Sequence, residues 1–376
     1  MGQQPSHKII RIIIAGGGTG GHIFPAIAVA NAIQALQPEA VILFVGAKGK
    51  MEMEKVPQAG YAIKGLTIAG LNRSNWFKNW SLPFKLLKSY FEVKSIFKSF
   101  QPNAVFGVGG YSSFPVLKYA QSKGIATFIH ESNAFAGKAN QWLGADATCI
   151  FTGTSGMEKF FPAHKTIFTG NPVRKNIIHH QFTNASALLQ FGLLPNKKTI
   201  LIMGGSLGAA SINKVIQHHL PHFLELGVQL IWQTGKTNAA QYLKASESYK
   251  NIYVSSFIDN MSAAYAAADI VISRSGAMAV AEICIAGKAA IFVPYPYAAE
   301  DHQTFNAMQL VHAGAAEIVK DQDAESELFP CLQTLIQNED QVNEMKHRIT
   351  SFVKLNADEV IAQTILKNIQ EINHSH

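Results

Sequence analysis

The residue types best suited to chemistry in this 376-residue chain gather around three glycine-containing turns. Gly16-Gly17-Gly18-Thr19-Gly20-Gly21 ends on His22, an imidazole that titrates near neutrality. Gly204-Gly205-Ser206-Leu207-Gly208 repeats the arrangement 188 residues later. Ser273-Arg274-Ser275-Gly276-Ala277 opens a helix that carries Glu282 one to two turns in. A carboxylate there suits ribose hydroxyls, although an ordinary surface glutamate fits the same spacing. Asp301-His302-Gln303 with Asn306 adds amide and imidazole groups, which a hydroxyl-rich ligand such as a sugar requires.

Glycine between a strand and a helix lets backbone N–H groups approach an anion, and the helix N-terminus adds partial positive charge. A tight turn needing positive φ explains any one of these loops equally well; two in equivalent places favour phosphate. A P-loop would follow its last glycine with Lys and Ser or Thr, whereas His22-Ile23 stands here. A dinucleotide fold would end its second strand on an acidic residue. Phe44-Val45-Gly46 and Trp232-Gln233-Thr234 offer none, which disfavours a nicotinamide enzyme.

Short β-branched runs alternate with Ala-rich stretches through most of the chain, the pattern of βαβ units and a mostly parallel sheet. Strands are expected at residues 9–15, 41–45, 104–108 and 125–129, with a helix over 24–36 that ends before Pro38. The pattern restarts with strands at 199–203, 229–233, 252–254, 270–273 and 290–293. The fold class is therefore α/β, with two Rossmann-like domains expected over 1–171 and 172–355 and a polar helical tail over 356–376 lacking a core of its own. The join is placed near Gly170-Asn171-Pro172, a breaker cluster.

Composition narrows the partners. The net charge of +7 divides into 17 basic against 7 acidic residues in 1–171 and 15 against 18 in 172–376. Such a basic half suits nucleic acid, an anionic membrane or a phosphorylated substrate. Cys149, Cys284 and Cys331 match neither a metal spacing nor a disulfide framework, which points to a reducing cytoplasm. No metal or cofactor is expected; Asp321-Gln322-Asp323 resembles a metal-binding DxD but lies in an acidic loop where a solvated turn fits better. No run reaches the roughly 18 apolar residues of a membrane span. Residues 71–83 hold Arg73, Trp76, Phe77, Lys78 and Trp80 without a helical or strand period, and aromatics with basic neighbours suit a headgroup interface. The stripe Leu86, Tyr90, Val93, Phe97 and Phe100 beyond it reads as a crossover helix on the sheet.

Taken together, these motifs resemble the bacterial cell-wall glycosyltransferases that add N-acetylglucosamine to undecaprenyl-diphospho-muramoyl-pentapeptide, converting lipid I to lipid II. The matching segments run in family order: 16–22, 107–111, 130–133, 169–174, 204–208, 257–259, 274–282 and 301–306. The resemblance implies a GT-B arrangement, two Rossmann-like domains facing across a cleft. It implies UDP-N-acetylglucosamine on the C-terminal domain, with Ile258 meeting uracil and Glu282 holding the ribose. Ser206 and the turn at Ala277 and Met278 would take the diphosphate, Arg174 would contact the donor at the hinge, and Gln303 would read the sugar hydroxyls. Thr19, Gly20, Gly21 and Asn133 would approach the donor sugar, while Gly17, Gly18 and Tyr111 border the acceptor side. Leu207, Ser132 and Ala279 depart from the family pattern and receive no role.

Making a β-1,4 linkage from an α-linked UDP-sugar inverts the anomeric centre, so a single in-line displacement is expected, with an oxocarbenium-like transition state. His22 is the candidate general base for the acceptor hydroxyl and Glu131 the runner-up. The plainer readings are that His22 orients the loop or the acceptor diphosphate and that Glu131 caps the next element. The expected partners are UDP-GlcNAc, lipid I, an anionic membrane surface and other cell-wall synthesis proteins. The expected location is peripheral, on the cytoplasmic face of the inner membrane. A UDP-GlcNAc 2-epimerase or a different lipid glycosyltransferase on the same fold is the competing enzyme reading. A nucleic-acid-binding module is the non-catalytic alternative, and it lacks any recognised motif.

Overall fold

The computed structural model describes residues 9–68, 82–178, 181–205 and 207–374. The chain forms two compact units: one runs to Arg174 and takes in the chain again from Asn356, and the other spans Lys175–Leu355. The change of unit falls three residues beyond the expected join.

The first unit is built on β1 (Arg11–Ala15), β2 (Val41–Ala47), β3 (Ala62–Leu66), β4 (Ala104–Gly107), β5 (Ala126–Glu131), β6 (Cys149–Thr152) and β7 (Thr166–Phe168). They pair in the order β3-β2-β1-β4-β5-β6-β7, every pairing parallel. β1 and β4 are almost wholly apolar and buried, as strands covered by helices on both faces must be, and β5 is buried throughout although it carries Thr127, His130 and Glu131. The first helix, Gly20–Leu36, begins four residues before the expected start, so that Pro25 lies inside it. Thr19 caps it in extended conformation, and its carbonyl accepts the N–H groups of His22 and Ile23.

The polar C-terminal stretch is not a free tail. Its helix, Ala357–His374, puts Ile361, Ala362, Ile365, Leu366 and Ile369 into the first unit's core beside Ile23, Val29 and Ile33 of the first helix. Ile, Ala and Leu at i, i+1, i+4, i+5 and i+8 form the apolar stripe, so a helix polar on average still carries a buried face.

In the helix Leu82–Phe100, Val93 and Phe97 of the expected stripe enter the core and Phe100 packs against it, whereas Tyr90 is exposed, as are Phe84, Leu87 and Phe91 outside the stripe. The Trp-rich segment before it, with Arg73, Trp76, Phe77, Lys78 and Trp80, lies outside the described residues, as does Ser206.

The second unit contains β8 (Thr199–Met203), β9 (Gln229–Gln233), β10 (Ile252–Ser255), β11 (Ile270–Ser273), β12 (Ala289–Phe292) and β13 (Glu317–Ile318). Their order is β10-β9-β8-β11-β12-β13, again wholly parallel. Trp232, Phe223 and Phe292 are its largest fully buried hydrophobic side chains besides Tyr265. In each sheet the chain winds outward in one direction and then restarts beside its first strand. The crevice beyond the strand ends at that reversal is where open α/β sheets bind ligands. It lies between β1 and β4 in the first unit and between β8 and β11 in the second.

Candidate active site

In the first unit the turn after β1 and the loop Val108-Gly109-Gly110-Tyr111 after β4 meet at that reversal. A Cβ on Gly110 would strike the Gly17 carbonyl oxygen, so the two backbones touch only because position 110 is glycine. Gly109 has φ +89°, and a Cβ there would lie 3.1 Å from His22 Nε2. The imidazole thus rests against bare backbone, and its Nδ1 is 3.3 Å from Thr19 Oγ1. One ring nitrogen is paired with the hydroxyl beside it, leaving Nε2 on the side of the β4 loop. This arrangement suits a base whose tautomer is set by its neighbour.

Glu131, at the end of β5, is heavily engaged. Its Oε1 accepts the backbone N–H and the side-chain amide of Asn133 at 3.1 and 3.2 Å. Its Oε2 accepts the Gly137 N–H at 3.0 Å and Asn140 Nδ2 at 2.9 Å. Four donors on one buried carboxylate make it the anchor of loop 132–137, the plainer of its two sequence readings. Asn133 takes its place in that loop through this anchor.

His130, one residue earlier, is fully buried with Ser132 Oγ 3.3 Å from its Nδ1. Burial holds its pKa down to about 4; nearby His22 pushes the same way, and the Gly170 backbone opposes. A neutral imidazole is the state this pocket accepts. Arg174, at the unit's edge, places its guanidinium 5.4 Å over the Phe24 ring of the first helix.

In the second unit the turn after β8 closes with Gly208 N–H donating to Gly205 O at 3.0 Å. Gln233, at the end of β9, bridges it to the next loop: Nε2 donates to Gly205 O at 3.4 Å and Oε1 accepts the Ile258 N–H at 3.0 Å. The amide assigned to uracil by resemblance is therefore bonded to Gln233, which a base edge would displace.

The turn after β11 leads through Gly276, in extended conformation, into the helix Ala277–Ala286, with Met278 in its first turn. Glu282 is 8% exposed and its Oε2 accepts the Tyr265 hydroxyl at 3.2 Å, so it is not the ordinary surface glutamate that its spacing also allowed. Asn306 Nδ2 donates to Ser275 O at 3.0 Å, and the buried Ser275 Oγ has no hydrogen-bond partner among the described residues. Gln303 Oε1 accepts the Tyr295 N–H at 2.9 Å, which turns its Nε2 toward Gly276. Arg274 props the turn from behind. It donates to Val293 O and Pro294 O, pairs with Asp321 Oδ1 at 2.5 Å and reaches Ser211 Oγ. Asp321 is thereby committed to a structural ion pair. Among the described residues no group of three or more His, Cys, Asp or Glu could hold a metal ion.

Within the first unit the structure gathers Gly17, Gly18, Thr19, Gly20, Gly21, His22 and Tyr111 at one crevice. Within the second it sets Ala277, Met278, Glu282 and Gln303 at the β11 turn, and Ile258 by the β8 turn through Gln233. Sequence reading passed over Glu52, Gln233 and Tyr265, and left Arg274 without a role. Only the strand-end position of Gln233, where a dinucleotide fold carries its acid, marked any of them in advance.

Comparison with known proteins agrees with this layout. Residues 12–152 match the glycosyltransferase family 28 N-terminal domain, and residues 199–365 match its C-terminal domain. A Bacteroides fragilis protein is 47% identical over 96% of this chain and 96% of its own length. A Cytophaga hutchinsonii protein is 45% identical over 97% and 99%. Both are named UDP-N-acetylglucosamine--N-acetylmuramyl-(pentapeptide) pyrophosphoryl-undecaprenol N-acetylglucosamine transferase. The crystal structure of Acinetobacter baumannii MurG superposes with a TM-score of 0.75 at 30% identity, covering 95% of this chain and 99% of that one. Two Rossmann-like sheets of the GT-B class, matched by both domains of one family across most of the chain, leave one assignment: the chain belongs to glycosyltransferase family 28.

Proposed function

We propose that this chain transfers N-acetylglucosamine from UDP-GlcNAc to the 4-hydroxyl of undecaprenyl-diphospho-MurNAc-pentapeptide, with inversion, forming lipid II for peptidoglycan synthesis. The observation that carries this reading is near-full-length similarity, at 45–47% identity, to proteins bearing that one name. The paired crevices support it.

On the acceptor side His22 takes the proton of the attacking hydroxyl. Thr19 Oγ1 sits at its Nδ1, and Nε2 is the nitrogen left toward the β4 loop where Tyr111 stands. Gly17, Gly18 and Tyr111 rim the acceptor, and Thr19, Gly20, Gly21 and Asn133 reach toward the donor sugar. The donor belongs to the second unit. Glu282 holds the ribose, Ile258 exchanges its Gln233 partner for uracil, and Gln303 reads sugar hydroxyls through Nε2. As the C–O bond to UDP lengthens, negative charge grows on the diphosphate. The N-terminus of the helix Ala277–Ala286, beginning at Ala277 and Met278, stabilises it together with Ser206 and Arg174.

No helix among the described residues is long and apolar enough to cross a membrane. A peripheral site on the cytoplasmic face of the inner membrane is supported by aromatics left outside the core. Phe84, Leu87 and Phe91 are exposed on one helix, and Trp142, at 71% exposure, meets Phe114 edge-on two helices away. Lys88, Lys94 and Lys98 flank the first group in sequence. Arg73, Trp76, Phe77, Lys78 and Trp80 extend it by proximity along the chain.

The deciding experiment incubates purified protein with labelled UDP-GlcNAc and a lipid I analogue. Label transferred to the lipid is the expected result. Formation of UDP-ManNAc from the donor alone would assign an epimerase instead.

A further inference from the structure

Glu52 lies directly beneath the first glycine turn. β2 runs beside β1, so the chain leaving β2 at Ala47 passes the turn that leaves β1, and Glu52 opens the helix Glu52–Gln58 there. The residue is 1% exposed. Its Oε1 accepts the Ala47 N–H and its Oε2 the Gly18 N–H, both at 2.9 Å. A Cβ on Gly17, where φ is +146°, would collide with the carboxyl group, and a Cβ on Gly46 would lie 2.5 Å from Glu52 Cγ. Two glycines at neighbouring strand ends therefore form a slot that this side chain fills. A buried carboxylate needs such donors, and charge-assisted N–H bonds are the strong kind.

We propose that Glu52 is a positioning residue for the acceptor half of the reaction, an internal anion that occupies the Gly18 amide and locks the turn 16–18 onto the end of β2. The role rests on the transfer reaction proposed above. A turn that reads as a phosphate cradle thus has its Gly18 N–H already bonded to the protein's own carboxylate. What the lock presents is a rigid rim: the start of the His22 helix on one side and Tyr111 on the other, its ring edge 4.0 Å from where a Gly18 Cβ would be. Burial, with the Glu52 charge adding to it, pushes the Tyr111 phenol above its ordinary value.

Three variants test this: Glu52→Gln, Glu52→Ala and Gly46→Ala. The last leaves Glu52 in the sequence but drives a methyl into its seat. For Glu52→Gln and Gly46→Ala, kcat/KM for the lipid I analogue is expected to fall about 10- to 100-fold, the scale of a misplaced reacting group. UDP affinity, measured by calorimetry, stays within about twofold and reports that the chain is folded. Adding Gly46→Ala to Glu52→Ala costs nothing further, because the methyl then has nothing to strike. Tyr111 ionisation moves to lower pH in Glu52→Gln, read as tyrosinate absorbance with Tyr111→Phe as the blank. Wild-type acceptor kinetics in both Glu52→Gln and Gly46→Ala, a parallel loss of UDP affinity, or an unmoved Tyr111 would each overturn the role. If the unaltered protein transfers nothing to the analogue, the proposed reaction fails and the acceptor role with it, while a Tyr111 titration that moves in Glu52→Gln would still place the carboxylate beside the ring.

Discussion

The turn after β1 and the turn after β11 are built alike, small residues between a buried strand and a helix, yet the protein treats them differently. At the first, a carboxylate from the helix that follows the neighbouring strand bonds the turn's own backbone through the Gly18 N–H. At the second, the side chains from outside the turn that meet its backbone are amides, while the Asp321 carboxylate pairs with the Arg274 side chain. Asn306 holds the Ser275 carbonyl, Gln303 faces Gly276, and the Ser275 hydroxyl is buried without a partner among the described residues. A ligand phosphate and Glu52 are rivals for the same kind of amide, so the Gly18 N–H is already taken at the β1 turn, whereas the β11 turn is the one proposed to receive the diphosphate. Glycine content reports that a backbone can come close to something. Whether that something is a ligand or the protein itself depends on what the next strand brings.

The sharpest way to break this contrast is at His22. His22→Ala should cut kcat by about 10²- to 10⁴-fold while leaving UDP binding near wild type. A kcat within a few-fold of wild type would reduce the filled turn to scaffold and leave the base unassigned. The next effect concerns the His130 imidazole behind that turn. Its folded pKa lies well below the usual 6.5, so the unfolded chain binds more protons between pH 6.5 and 4. Stability should therefore drop as pH falls through that window, by about 3 kcal/mol in all, and level off below it. His130→Asn should flatten this dependence in urea titrations at pH 7 and pH 5; an unchanged slope would locate the acid sensitivity elsewhere. At the open turn, Glu282→Gln should weaken UDP binding about 10- to 100-fold, the scale of losing a hydrogen bond to a charged group. Unaltered UDP affinity would take the ribose away from Glu282. The smallest change is expected on the outer face. Phe84→Ser/Phe91→Ser/Trp142→Ser should lower binding to anionic vesicles severalfold with the fold intact, and full retention would place the membrane contact elsewhere.

Much of this architecture was legible because it depends on local pattern. The strands 199–203, 229–233 and 270–273 begin and end where expected, and the first two glycine turns fall where the strand order reverses. What escaped depends on packing between distant segments. Glu52 has no motif; only the β1–β2 register carries it to Gly18. β13 has two residues, and β3 has an exposed Lys64 at its centre, so neither presents a buried apolar run. In the helix Leu82–Phe100 aromatics lie on more than one face, and periodicity does not say which face meets the sheet. The Ile258 amide illustrates a different gap, since a backbone group's partner is invisible until the side chain of Gln233 is placed.

The return of helix Ala357–His374 to the first unit has a consequence for how the protein is made. Residues of its stripe reach the core that Ile23 and Val29 began more than three hundred positions earlier in synthesis. The intervening unit, Lys175–Leu355, is complete before that helix emerges. Domains fold as units in the order they are synthesised. This chain inverts the order at the end: its first-made half waits with an apolar groove open until the last-made helix closes it. Translation that stops short of Ile361 would leave a finished second unit joined to a first unit that exposes its core.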